Sequence, residues 1–157
     1  MAAFRLVTEE GMGAFYHRLE IETGTGFSIH DITGEVRALI GESGIAEGMV
    51  VVSSLHTTCA VSVNENEARL LDDIPDCFLR LVPPDAAYRH NDIHLRDCPP
   101  DEPENAHAHL IAMMLGNAQT LPVHEGRPDL GRWQSILLVE LDGPRRRQVA
   151  VQVWGEP

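Results

Sequence analysis

Met49-Val50-Val51-Val52-Ser53-Ser54-Leu55 runs without a break into His56-Thr57-Thr58 and then into Cys59-Ala60-Val61-Ser62-Val63. Three consecutive valines suit a pleated, packed surface, so Met49 to Leu55 reads as a central strand. Cys59 to Val63 reads as the next strand. Between them a histidine and two hydroxyls stand at a strand end, a rigid place from which to present side chains.

Working outward on the N-terminal side, Ile32 to Ser43 reads as a helix. Thr33 is its N-cap, Val36, Leu39 and Ile40 form one apolar stripe, and Gly44 stands at C′. Before it, Ala14 to Thr23 alternates in part (Phe15, Leu19, Ile21) and reads as a strand, ended by a turn over Gly24 to Gly26. On the other side, Asn64 to Val82 reads as a second helix with Leu70, Leu71, Ile74, Phe78 and Leu79 inward. Pro75 should interrupt or kink it. Pro83 to Pro103 has no period, and a loop of that length in a compact domain is often functional. Glu104 to Leu115 reads as a short helix closed by Gly116. Gln119 to Val123, Ser135 to Leu141 and Gln148 to Trp154 read as a meander of strands, the first demoted to an edge by Pro122. Turns fall at Glu125-Gly126 and Asp142-Gly143-Pro144. Strands mixed with segregated helices give an α+β fold with antiparallel pairing dominant, expected as a single domain over residues 1–157.

The chain has 157 residues, 43% of them hydrophobic, enough for a core without staples. Its formal net charge is -12, and all twelve basic residues are arginine. Such a chain repels phosphate backbones at long range, so no nucleic-acid partner is expected. Without lysine there is no Schiff-base chemistry, and any phosphate clamp must use arginine, histidine or backbone N–H. Three cysteines with no C-x-x-C suggest neither a disulfide framework nor a cysteine-based zinc site. Cys59 and Cys77 read as buried packing. No apolar run approaches membrane-spanning length and no signal segment opens the chain, so a cytoplasmic protein is expected.

Eight histidines hold the chemistry. His56 closes the valine strand, and Thr57 and Thr58 could fix its tautomer or bind a ligand oxygen. On a helix His107 and His109 point about 200° apart, so only one should join a site. Leu110 and Met113 put His109 beside the core and leave His107 toward solvent or a neighbouring chain. His90 and His94 lie in the long loop, and one of them could complete a three-histidine site with an open position, which suits zinc. Glu140, inside the apolar run Ile136 to Leu141, either faces solvent or is a buried, perturbed carboxylate. Arg145, Arg146 and Arg147 could bind an anion, offset acidic charge or make a subunit contact.

Several strings now stand in order. They are His56-Thr57-Thr58, Asn64-Glu65-Asn66, Tyr88-x-His90, Asn105-Ala106-x-Ala108-His109-Leu110, Leu130-Gly131-x-Trp133-Gln134 and Glu140-x-Asp142-Gly143-Pro144-Arg145-x-Arg147. From about Ile32 to Gly155 the chain resembles the YjbQ-like family. The resemblance implies a sheet-rich α+β fold, a homotrimer, and a histidine-rich metal or ligand site matched by His56, His90 and His109; a divalent metal, zinc by residue type, is expected there. It implies a weak, secondary thiamine-phosphate synthase, joining a pyrimidine pyrophosphate to a thiazole phosphate with release of pyrophosphate. Catalytic roles then fall to His56 and Glu140, and ligand contacts to Thr57, Thr58, Trp133, Gln134, Arg145 and Arg147. Arg132 and Cys59 depart from the family's usual small residues. The expectation is a metal-dependent enzyme acting on a small phosphorylated molecule. The alternative is a non-catalytic trimer that binds a metal or ligand.

Overall fold

The computed structural model describes residues 4–7 and 11–157. Nine strands and three helices follow one another: β1 (Phe4–Val7), β2 (Gly13–Glu22), β3 (Gly26–Asp31), α1 (Thr33–Ser43), β4 (Glu47–Ser54), β5 (Cys59–Asn64), α2 (Ala68–Leu81), α3 (Ala106–Leu115), β6 (Ala118–His124), β7 (Arg127–Pro128), β8 (Ser135–Gly143) and β9 (Arg146–Glu156). The strands make two sheets, one ordered β1-β2-β9-β4-β6-β7 and one ordered β3-β8-β5. Every pairing is antiparallel.

Period-two burial explains how the sheets stack. Val149, Val151 and Val153 of β9 and Val50 and Val52 of β4 turn to one side of the large sheet, where each is fully buried. They meet Ile136 and Leu138 of β8, Val61 of β5 and the stripe Val36, Leu39 and Ile40 of α1. The alternate residues of the small sheet, Ala60, Val139 and Leu141, turn the other way onto Ile111 of α3 and Phe78 of α2. The small sheet is thus a middle layer. That is why β8 is buried on both faces from Ile136 to Leu141 and apolar there except at Glu140. Each fully buried valine or leucine contributes about 1.5–3 kcal/mol relative to exposure.

The expected α+β class and antiparallel pairing hold. The expected C-terminal meander does not. β8 pairs with β3 and β5, while β9 lies between β2 and β4, so consecutive strands enter different sheets. The partner of β8 over Gly26–Asp31 escaped the sequence reading, because Phe27, Ser28, Ile29 and His30 are all half-buried and leave no clean alternation. β6 is an edge for most of its length, touched by the two-residue β7 only at Val123 and His124.

Helix boundaries shift for chemical reasons. Thr33 does not cap α1. The Asp31 carboxylate accepts the Thr33 N–H at 2.9 Å, and the other Asp31 oxygen accepts from Asn66 Nδ2 at 2.9 Å. α2 begins at Ala68 because Glu67 accepts the N–H groups of Arg69 and Leu70. Pro75 does not interrupt α2. The helix lies on the surface with no fully buried residue, so the carbonyl that loses its partner is close to water. Cys77 is exposed on that helix, not buried; Cys59 is fully buried, and burial pushes its thiol up to about 11. The long loop holds two short 3-10 turns, Arg89–Asn91 and Ile93–Leu95. It is tied down where Asn91 Oδ1 accepts the first N–H of α3, from Ala106, at 3.1 Å. No helix among the described residues is long and apolar enough to cross a membrane.

Candidate functional site

The β4–β9 ladder ends at Ser54 opposite Val149. Beyond it, Leu55 N–H still donates to the Gln148 carbonyl at 3.1 Å. The Gln148 N–H finds no backbone acceptor and donates instead to Nε2 of His56 at 2.8 Å. The imidazole thus stands in for a ladder carbonyl. A backbone N–H cannot accept, so Nε2 carries no proton and Nδ1 must carry one. Burial, with help from the nearby Arg147 guanidinium and opposed by Glu140, holds the His56 pKa below its ordinary value. His56 is therefore a neutral ring that offers an N–H.

His109 approaches from α3. Its ring meets the ring of His90 edge to face, with centroids 4.7 Å apart. Burial lowers the His109 pKa, and the neighbouring His90 lowers it further. Two adjoining cavities share His56, Thr57 and His109 in their walls. One, of about 420 Å³, is closed by Cys59, Ala112 and Met113 and is mainly apolar. The other, of about 530 Å³, is polar and runs past Thr58, Asn105, Asp142 and Arg145.

Under the polar cavity, Arg147 of β9 reaches across to Glu140 of β8. Its Nε and Nη2 bind the two carboxylate oxygens, and Nη2 also donates to Thr58 Oγ1 at 2.9 Å. Glu140 accepts the N–H groups of Leu141 and Asp142 and the hydroxyl of Thr23 as well. Burial alone would raise the Glu140 carboxyl, but these donors, Arg147 foremost, hold it below the usual carboxylate range. Both residues are buried, Glu140 completely.

This arrangement corrects several expectations. Glu140, expected to be catalytic, has its oxygens filled by structural donors and none left for a substrate proton. Arg147, expected to grip a ligand, commits Nε and Nη2 to Glu140 and Thr58 while still bordering the polar cavity. Thr58 is buried where it borders the cavity, whereas Thr57 is exposed on its wall. Arg145 remains a candidate anion contact; its side chain is 42% exposed and leans on Asp142 through Nη2 at 2.7 Å. Trp133 and Gln134 lie on the loop before β8, at the opposite end of that strand from Glu140, with roughly 20 Å of strand between. Trp133 stacks on Arg132 in the open and lines neither cavity. His94 is exposed, and His107 is half-buried rather than turned out to solvent.

The expected metal triad is not assembled. His90 touches His109 but shares no cavity with His56, and it sits behind His109 beside Tyr88. The Nε2 lone pair of His56 is already used. Among the described residues no group of three or more His, Cys, Asp and Glu is placed to hold a metal ion. Asn105 and Asp142 belong to the polar cavity and escaped the sequence reading as site residues. An asparagine before a helix ordinarily reads as a cap, yet this side chain makes no cap hydrogen bond.

Residues 17–156 match the model of the family described as UPF0047 protein YjbQ-like. The chain belongs to that family. A UPF0047 protein of Methanothermobacter thermautotrophicus is 43% identical over 146 residues, which cover 93% of this chain and 96% of that one. The UPF0047 protein YugU of Bacillus subtilis is 33% identical, over 87% of this chain and 97% of its own. Among solved structures, a YbjQ-like protein of unknown function from Sulfolobus solfataricus P2 superposes with a TM-score of 0.83 at 36% identity, covering 92% of this chain and 99% of that one. An Aeropyrum pernix K1 protein gives a TM-score of 0.82 at 38% identity over 90% of this chain and 98% of that one. The small sheet, the large sheet apart from β1 and the start of β2, and the His56 and His109 positions fall inside the matched span.

Proposed function

We propose that this chain is an enzyme performing acid–base chemistry on a small phosphorylated molecule held between the His56 turn and the start of α3. The supporting observation is the fixed tautomer of His56, set by the Gln148 N–H, opposite a neutral His109 across shared cavities. In this reading His56 Nδ1–H donates to negative charge developing on the substrate. His109, kept unprotonated at neutral pH by its lowered pKa, is the base that takes the substrate's proton. Arg145 binds the phosphate, Thr57 offers a hydroxyl at the same wall, and the apolar cavity takes the uncharged body. No step runs through a metal.

Thiamine-phosphate synthesis, implied by the family resemblance, is one reaction within this class, since both of its substrates carry phosphate. A homotrimer is part of the same proposal: α3 leaves Leu110, Met113 and Met114 exposed beside the apolar cavity, a surface that a second copy would cover. A non-catalytic ligand-binding protein is the second reading, favoured by the Glu140 carboxylate being wholly committed to structure.

The test is turnover of a panel of phosphate esters and pyrophosphates, including the pyrimidine and thiazole pair, followed by phosphorus NMR. His56→Ala and His109→Ala should each lower turnover by roughly 10²–10⁴-fold with thermal melts intact. Turnover that survives both changes would remove the histidine mechanism. Ligand retention without turnover would favour the binding protein.

A further inference from the structure

Four buried side-chain atoms among the described residues have no hydrogen-bond partner: His17 Nδ1, His90 Nε2, His107 Nδ1 and Asn105 Oδ1. A buried polar atom left unpaired costs free energy, so each asks for an explanation. Asn105 differs from the other three in two ways. It is a fully buried residue, 6% exposed, and it lines the polar cavity.

Its amide orientation follows from its neighbour. Nδ2 lies 2.8 Å from Asp142 Oδ2. That same oxygen receives Arg145 Nη2 at 2.7 Å. A carboxylate oxygen holding an arginine accepts and does not donate, so the NH₂ end of Asn105 must face it. The carbonyl end is left over. It is not used on α3: Asn105 stands at the N-cap without a side-chain cap bond, and the first helical N–H is taken by Asn91. Asn105 Oδ1 is a fixed acceptor, one carboxylate away from Arg145 and almost closed off from solvent, on a residue that borders a cavity large enough for a small molecule.

We infer that Asn105 is a ligand-binding residue, and that the ligand is a small phosphate ester with a hydroxyl or amino donor close to its phosphate. This rests on the cavity being an anion site, as proposed above. Arg145 takes the phosphate, Asn105 Oδ1 accepts from the neighbouring donor, and Asp142 holds both side chains in register. An anion without that donor leaves Oδ1 orphaned and binds less well.

The probes are 2-hydroxypropyl phosphate and propyl phosphate, which differ by one hydroxyl. Each is titrated into the full chain and followed by two-dimensional NMR. Wild type should bind the hydroxylated ester about tenfold more tightly. Asn105→Ala should abolish that preference while still binding propyl phosphate. Should Asn105→Ala fail to fold, Asp142→Asn gives an independent reading: with the amide free to turn, the preference should shrink. Equal affinity of wild type for the two esters would overturn the Asn105 assignment, leave Oδ1 to a buried water, and spare the anion site. Failure of both esters to bind would overturn the anion site and the Asn105 assignment together.

Discussion

Glu140 and Arg147 face one another from different sheets, each at the end of a row of buried apolar residues that its own strand sends into the core. On β8 the row is Ile136, Leu138, Glu140; on β9 it is Arg147, Val149, Val151, Val153. The ion pair closes one end of the sandwich and floors the polar cavity. Breaking such a pair from one side strands a buried charge. Arg147→Met should cost about 3–5 kcal/mol in urea unfolding. Glu140→Leu combined with Arg147→Met should recover most of that loss. A single change costing under about 1 kcal/mol would show that water reaches the pair.

The histidines give stability a pH dependence of known sign. His56, His107 and His109 have folded pKa values below the ordinary one, burial being the main cause in each. The unfolded chain then binds protons first. Their contribution is complete above about pH 6.5 and is lost as pH falls through that value toward the lower folded ones. Exposed His124, raised by Glu47, acts in the opposite sense. Glu140, with its lowered pKa, adds a second loss at more acid pH, below about 4.3. Denaturant midpoints should start to fall just below pH 6.5, and His109→Gln should reduce that early slope. A flat midpoint from pH 7 to pH 5 would contradict the buried neutral rings.

Gly48 and Gly155 pair directly across β4 and β9. A Cβ on Gly48 would lie 1.9 Å from the Trp154 carbonyl oxygen, and one on Gly155 would lie 1.9 Å from that of Glu47. Both contacts are with backbone, which cannot swing away. Gly48→Ala or Gly155→Ala should each destabilise by more than about 1 kcal/mol, measured by thermal melting. A melt like wild type would mean that the strands can part there at little cost.

Arg145 and Trp133 separate two meanings of a motif. Arg145→Ala should weaken propyl phosphate binding by roughly tenfold, the loss of a charge-assisted hydrogen bond. Trp133→Ala should leave that affinity unchanged and shift stability by no more than about 0.5 kcal/mol. Calorimetry and NMR titration check both. A binding loss in Trp133→Ala would bring the exposed loop back into the site.

The valine run Met49 to Leu55 was readable as a central strand because three β-branched residues in a row leave little choice. His56 at its end was readable as a candidate because the strand stops there, and the structure puts it in the wall of two cavities. Sheet membership was not readable. A continuous apolar run such as Ile136 to Leu141 says that both faces are buried, and says nothing of which strands lie beside it. The role of Glu140 was equally hidden, since burial with a partner and exposure to solvent leave the same letter in the sequence. Asn105 was read only as part of the helix from Glu104, and nothing in the sequence places it beside Asp142. The grouping of His56, His90 and His109 came from family resemblance, and the single chain brings only two of the three to a shared cavity.

β8 and β9 are each the central strand of a sheet, joined by a turn of two residues. Everything they pair with comes earlier in the chain. During synthesis, then, β2, β3, β4 and β5 leave the ribosome without their main neighbours, and their unpaired edges must wait for residues 135–156. Contacts this distant in sequence make for slow assembly. A nascent chain halted before Ser135 should stay open to protease and bind chaperones that hold exposed apolar strands; release of the last two strands would close both sheets in one step.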